Sequence, residues 1–168
     1  MLARKQSCWL KLKRGRPTED AFAYLDAVEE ALCFGWIDGH LKSFEGCGAL
    51  QRFTPRSRGS SWSELNKERV RRLERLGKMT DVGRACLPAM GPRSFRIYEG
   101  IEGELKKARL WTRFKSFPPL YQRVRADNIQ RVRSRPDEYR KRLDRLIEAT
   151  RQGKLYGEWD DFGRLSMQ

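Results

Sequence analysis

The residue types that usually carry chemistry are sparse in this chain and poorly spaced for it. Its single histidine, His40, follows Gly39 and lies two positions after Asp38. Any Ser-His-Asp or Cys-His constellation would have to be built on it. A lone strand histidine is more often a surface or hydrogen-bonded group than a base. Cys8, Cys33, Cys47 and Cys86 are scattered, with no C-x-x-C pair. Zinc needs three or four convergent ligands, and this spacing supplies no pair to start from. Gly46 and Gly48 bracket Cys47 without a following helix or a G-K-[ST] step, and Gly100 and Gly103 lack a clear preceding strand, so both read as turns rather than phosphate cradles. The carboxylate pairs Glu29-Glu30 and Asp160-Asp161 suit solvated faces. No active site is assembled, and the expectation is a protein that is not an enzyme and holds no cofactor and no metal.

Binding chemistry is better represented. Residues 42–72 interleave cations with aromatics: Lys42, then Gln51, Arg52, Phe53, Arg56 and Arg58, then Trp62, Lys67 and Arg71. Such a surface suits phosphates and stacked bases. Lys42, Arg52, Arg56, Arg58, Lys67 and Arg71 are therefore the candidate anion-binding or nucleic-acid-binding residues. The same pattern also fits a fold in which Phe53 and Trp62 are core and the cations form a solvated face.

The whole-chain balance points the same way. Lys and Arg number 36 against 22 Asp and Glu over 168 residues, a formal charge of +14, so an anionic partner is expected: nucleic acid, an acidic protein or a membrane surface. Residues 105–151 alone hold 15 Lys and Arg against five acids. With 39% hydrophobic residues the chain has the means to bury a core, so wholesale disorder is excluded. No run approaches the ~18 apolar residues of a membrane span, and the first residues lack the apolar stretch of a secretory signal. A cytoplasmic location is the expectation, with the thiols reduced.

The elements that would position these residues follow from periodicity and punctuation. Cys8, Leu10 and Leu12 alternate with Trp9, Lys11 and Lys13, a short strand whose second face Trp9 makes partly apolar. Thr18 as N-cap and Gly35 past the end frame a helix over residues 18–34, with Ala21, Leu25, Val28 and Leu32 as its stripe. Residues 36–44 and 49–56 flank Glu45-Gly-Cys-Gly48 as a β-hairpin. Ser61 and Glu64 have capping-box spacing for a helix ending at Gly77, with Trp62, Leu65, Leu73 and Leu76 on one face. Thr80 and Asp81 start a short helix. Beyond Pro92, helices are predicted over residues 101–117, 119–133 and 135–152, the last opened by Pro136. The fold class expected is α+β: an N-terminal helix and short β-hairpin unit followed by helices, then a helical C-terminal segment. The expected division is 1–90 as the α+β region, 91–153 as a basic helical region and 154–168 as a tail. Trp36 and Trp62 are expected in the core, and Asp38 is expected to bond the backbone of the Gly39 turn.

Four blocks in order carry a resemblance: Glu30-Ala-Leu-Cys-Phe-Gly-Trp-Ile-Asp-Gly39, Gln51-Arg-Phe-Thr-Pro-Arg56, Ser61-Trp-Ser-Glu-Leu-Asn-Lys-Glu-Arg-Val70, and Gly77-Lys-Met-Thr80 with Gly83. Together they resemble the YdeI or OmpD-associated family, also called bacteriocin-protection proteins. The likeness is strong over residues 9–84 and looser over 105–153, and the tail has no counterpart in it. The resemblance implies an α+β N-terminal part grouped with YjbR and CyaY-like folds, a helical C-terminal part, and a bacterial role in tolerating bacteriocins and cationic peptides. It supplies no catalytic residues. Two functions follow: a non-enzymatic tolerance protein acting through a partner or an anionic surface, or a nucleic-acid-binding protein using the basic hairpin-helix surface.

Overall fold

Alternation and glycine punctuation build the hairpin first. In a computed structural model that describes residues 7–19, 22–57 and 59–166, strand β2 (Trp36–Phe44) pairs antiparallel with β3 (Gly48–Pro55). The turn between them needs left-handed backbone at Gly46 and Gly48, where φ is 73° and 77°. Strand β1 (Cys8–Leu10) adds to the other edge of β3, giving the order β1-β3-β2. A register shift between Asp38 and Leu41 would leave backbone groups without ladder partners. Gln51, 2% exposed, answers one of them: its Nε2 donates to the Gly39 carbonyl at 2.8 Å while Arg14 Nη2 donates to its Oε1 at 2.6 Å.

Helix α1 (Tyr24–Cys33) packs beside β2 and buries Leu25, Val28 and Leu32. It starts later than the expected Thr18. Just before it, Ala23 is extended and bridged to Lys13, and the Tyr24 N–H donates to the Lys13 carbonyl at 2.9 Å, so backbone pairing displaces helix there. The predicted stripe residue Ala21 lies outside the described residues.

Helix α2 (Glu64–Arg75) is capped by Ser63, whose Oγ accepts the Asn66 N–H at 3.2 Å, not by the predicted Ser61. Its buried face also differs. Glu64, Lys67, Val70 and Leu73 are buried at three-residue spacing, Trp62 and Leu65 are half-buried, and Leu76 is exposed. Two charged residues can occupy the inner stripe because they neutralise each other, Lys67 Nζ lying 2.8 Å from Glu64 Oε1. Helix α3 (Asp81–Arg84) begins at the predicted Thr80, which accepts from the Gly83 N–H and donates its hydroxyl to the Cys33 carbonyl at 2.6 Å. A Cβ at Gly83 would stand 2.2 Å from that carbonyl oxygen, so only glycine permits this approach to the end of α1.

The C-terminal helices are α4 (Glu99–Lys107), α5 (Trp111–Lys115), α6 (Pro119–Gln130) and α7 (Pro136–Arg151), preceded by a 3-10 turn at Pro92–Ser94. Residues 101–117, predicted as one helix, are split. Arg109 takes a left-handed φ of 59°, and its N–H and that of Leu110 return to the Lys106 and Leu105 carbonyls, closing α4 in a Schellman end. Ile101, Leu105, Phe114, Tyr121, Leu143 and Leu146 form the centre of a hydrophobic core. Tyr156 and Trp159 from the segment after α7 set their rings against Tyr121, with centroids 6.2 and 5.7 Å away.

The chain divides into two compact units. The first holds the described residues of Met1–Trp62 and Glu68–Ala89, and the second those of Ser63–Lys67 and Met90–Gln168. The α+β class holds: one three-stranded antiparallel sheet with α1 beside it, and helices thereafter. Among the described residues no helix is long and apolar enough to cross a membrane.

Candidate functional site

The hairpin positions two of the predicted cations on one face of the sheet. Trp9 stands opposite Arg52 across the β1–β3 ladder, and the Arg52 guanidinium lies 5.9 Å from the centre of the Trp9 ring. On β2, Lys42 Nζ sits 5.3 Å from the Phe44 ring. The two rings meet edge to face with centroids 5.1 Å apart and planes at 80°. Trp9, Phe44, Lys42 and Arg52 thus form one contiguous cluster, two half-buried rings each with a cation over it. Arg52 Nε is buried without a hydrogen-bond partner among the described residues. Period-two alternation puts Phe53 on the opposite face, where it is core at 2% exposure.

The other predicted cations do not join them. Arg56 is buried with its guanidinium carbon 3.6 Å from the centre of the Trp62 ring, and its Nη1 donates to the Ser61 carbonyl at 3.4 Å. Lys67 is buried against Glu64 and reaches the Ser94 carbonyl at 3.4 Å. Arg71 donates to Glu68 at 2.8 Å. Arg58 lies outside the described residues. Trp9 and Phe44 were not among the sequence candidates. The signal for them was the apolar residue on the outer face of each strand, beside a cation.

Groups suited to acid-base or nucleophilic work are engaged or dispersed. Asp38 does not cap the Gly39 turn as expected. It accepts the Tyr24 hydroxyl at 2.5 Å, because the register shift carries the turn backbone to Gln51 instead. Burial first, and then the bonded Asp38 carboxylate, push the Tyr24 phenol well above its ordinary range, so it remains a neutral donor. His40 is exposed on β2. All four cysteines are free, and burial raises the thiol of Cys33. Among the described residues no three metal-ligating side chains cluster.

Both tryptophans expected in the core are only half-buried. Trp36 lines an apolar hollow of about 330 Å³ with Leu10, Phe22, Phe34 and Phe53, which α1 and the sheet leave unfilled. Trp62 serves as the platform under Arg56.

A family described as "Domain of unknown function (DUF8412)" matches residues 2–86, a stretch that contains the whole Trp9, Phe44, Lys42 and Arg52 cluster. No curated protein and no solved structure matches the chain.

Proposed function

The chain belongs to this DUF8412 family, whose description carries no activity, and on that premise we propose that it works by binding an anionic partner, with single-stranded nucleic acid as the partner its sheet face suits best. The observation that carries this reading is the alternation of ring and cation on one face: Trp9 with Arg52, and Phe44 with Lys42. Phosphates attract the cations and unstacked bases find the rings. A formal charge of +14 supports the reading through long-range attraction of a polyanion. Both pairs are short-range and carry no hydrogen-bond code, so the binding is tolerant of sequence. The resemblance to the YdeI or OmpD-associated family adds a setting for such a protein, bacterial tolerance of bacteriocins and cationic peptides without catalysis.

The test is titration of a labelled single-stranded oligonucleotide at several salt concentrations. Each lost phosphate contact should flatten the logarithmic salt slope by about 0.7, so Lys42→Gln and Arg52→Gln should each reduce it by that order. Trp9→Ala should weaken binding by about 1–3 kcal/mol, the usual value of one stacked base. Slopes and affinities equal to those of the unaltered protein in all three variants would refute the proposal.

A further inference from the structure

Several cations on the helices of the second unit are answered by neighbouring carboxylates. On α4 and α7, Lys106 pairs with Glu102 at 2.6 Å, Lys107 with Glu104 at 2.7 Å, and Arg151 with Glu148 at 2.5 Å, while Arg140 is held by Glu104 and Asp144. In one place three cations converge without such partners. A hollow of about 360 Å³ is lined by Arg125 of α6, by Lys141, Arg142 and Arg145 of α7, by Tyr156 beyond α7, and by a single acid, Glu138. That acid is already taken: Arg142 Nε donates to it at 2.7 Å and holds its carboxyl below the ordinary range. Arg142 is spent too, its Nη1 donating to the Asn128 carbonyl at 2.8 Å. Arg125, Lys141 and Arg145 have no carboxylate within ion-pair distance among the described residues, and Arg125 Nε is buried with no hydrogen-bond partner there.

Two of these cations, Arg125 and Arg145, are held in place rather than left to wave. The guanidinium of Arg145 lies 4.5 Å from the centre of the Tyr156 ring, and that of Arg125 lies 5.2 Å from it. Tyr156 itself is fixed edge to face against the buried Tyr121. A Cβ at Gly157 would come within 2.5 Å of Arg125 Nη1, so the guanidinium packs directly on the chain at a glycine whose φ of 73° suits no other residue well.

We infer that this hollow is a binding site for a phosphomonoester group. Three unanswered positive charges facing one small space match a compact dianion. Two guanidinium forks and one ammonium supply the donors that phosphoryl oxygens accept, the forks directionally and the ammonium as a point charge. The Tyr156 ring already carries two guanidinium groups and the edge of Tyr121, where Trp9 and Phe44 each carry a single cation, so the phosphoryl group and not a nucleobase is what the site reads. A phosphodiester, with one charge where the monoester has two, fits the charge count less well. The site is independent of the sheet-face reading: it uses other residues, in the other unit.

The experiment is calorimetric titration of the full chain with phenyl phosphate, methyl phenyl phosphate and benzoate. Phenyl phosphate should bind about tenfold or more tighter than the diester and the carboxylate, and a Lys141→Gln/Arg145→Gln variant should lose that preference. Tyr156→Phe should keep it, because the ring that seats the guanidinium groups remains and only the hydroxyl's bond to Arg125 is lost. Binding should weaken as pH falls through about 6, where the monoester loses its second charge. Two oligonucleotides that differ only in a 5′-phosphate separate the sources of such a group. A gain from the phosphate that vanishes in the double variant assigns the site to chain ends, and competition by phenyl phosphate without such a gain assigns it to a small phosphorylated molecule. Equal binding of all three small probes, or unchanged phenyl phosphate binding in the double variant, would overturn the inference. Loss of oligonucleotide binding in the Trp9 and Arg52 variants, read separately, would leave it untouched.

Discussion

Residues 42–72 and the hollow beside α7 are both rich in Lys and Arg, yet their cations live differently. In the first region Arg56 lies on Trp62, Lys67 is buried on Glu64, Arg71 is bonded to Glu68, and Arg52 lies over Trp9. In the second, Arg125, Lys141 and Arg145 face open space with the one nearby carboxylate committed to Arg142. A dense run of positive charge in a sequence therefore does not mark a binding surface by itself. What decides is whether the fold brings each cation an internal partner. The sheet face is intermediate, since a ring beneath a cation still leaves its charge for a ligand, whereas a buried carboxylate does not.

The largest effect should come from breaking the most committed pair. Glu64 is 1% exposed and Lys67 7%, so Glu64→Gln strands a buried ammonium. Removing one member of such a pair costs about 3–5 kcal/mol, and about 3 is expected here because Asp127 stays within Coulombic reach of Lys67. Urea denaturation reads it directly, and a loss under about 1 kcal/mol would mean that Lys67 is as uncommitted as Lys141. Asp127 gives a pH check on the same cluster. Burial raises its carboxyl even though it accepts the Glu64 N–H at 3.0 Å. A carboxyl whose folded value lies above its unfolded one takes up protons on folding, so its contribution to stability falls as pH rises through that window. Asp127→Asn, which keeps an acceptor oxygen for the N–H, should gain stability relative to the unaltered protein at neutral pH and lose that advantage on acidification.

Next in size is the ring beneath Arg56. Trp62→Ala removes a stacking partner at 3.6 Å from a buried guanidinium, and a desolvated contact of that kind contributes about 2 kcal/mol. The expected loss is of that order, below the about 3–5 kcal/mol of a core tryptophan, because Trp62 is half-buried. A loss at the core value would place Trp62 with the interior and return Arg56 to the set of available cations.

Much of the fold was legible in local chemistry, and the candidate sites only in part. The hairpin was readable from alternation and from Gly46 and Gly48, and Thr80 and Pro136 announced their helix starts. Local rules failed wherever a distant partner intervened. The Lys13–Ala23 bridge delayed α1, and mutual neutralisation let Glu64 and Lys67 turn inward and rotate the α2 stripe. Arg109 broke a helix at a position where the usual signal is glycine. Lys42 and Arg52 were found because strand period fixes a face, whereas the α7 hollow was invisible. Its members come from α6, α7 and the segment beyond: the i,i+4 spacing of Glu138 and Arg142 is realised as an ion pair, whereas Asp137, at the same spacing from Lys141, does not pair with it.

The smallest effect on stability is expected at that hollow, and it is the sharpest contrast with Lys67. Lys141 and Arg145 are exposed and answer no carboxylate, so replacing both with Gln removes no ion pair and opens no cavity. The change should stay within about 1 kcal/mol, the value of the one exposed cation–ring contact it removes, Arg145 on Tyr156. Its sign is informative. Like charges facing one space repel, and salt at 1 M shortens the screening length to about 3 Å, so the unaltered protein should gain thermal stability between low and high salt while the double variant gains less. Thermal melts at the two salt concentrations measure this. If the double variant lost more than about 1 kcal/mol, or if salt destabilised the unaltered protein more than the variant, Lys141 and Arg145 would be structural cations like Lys67, and the two regions would not differ in the way the partners of their cations indicate.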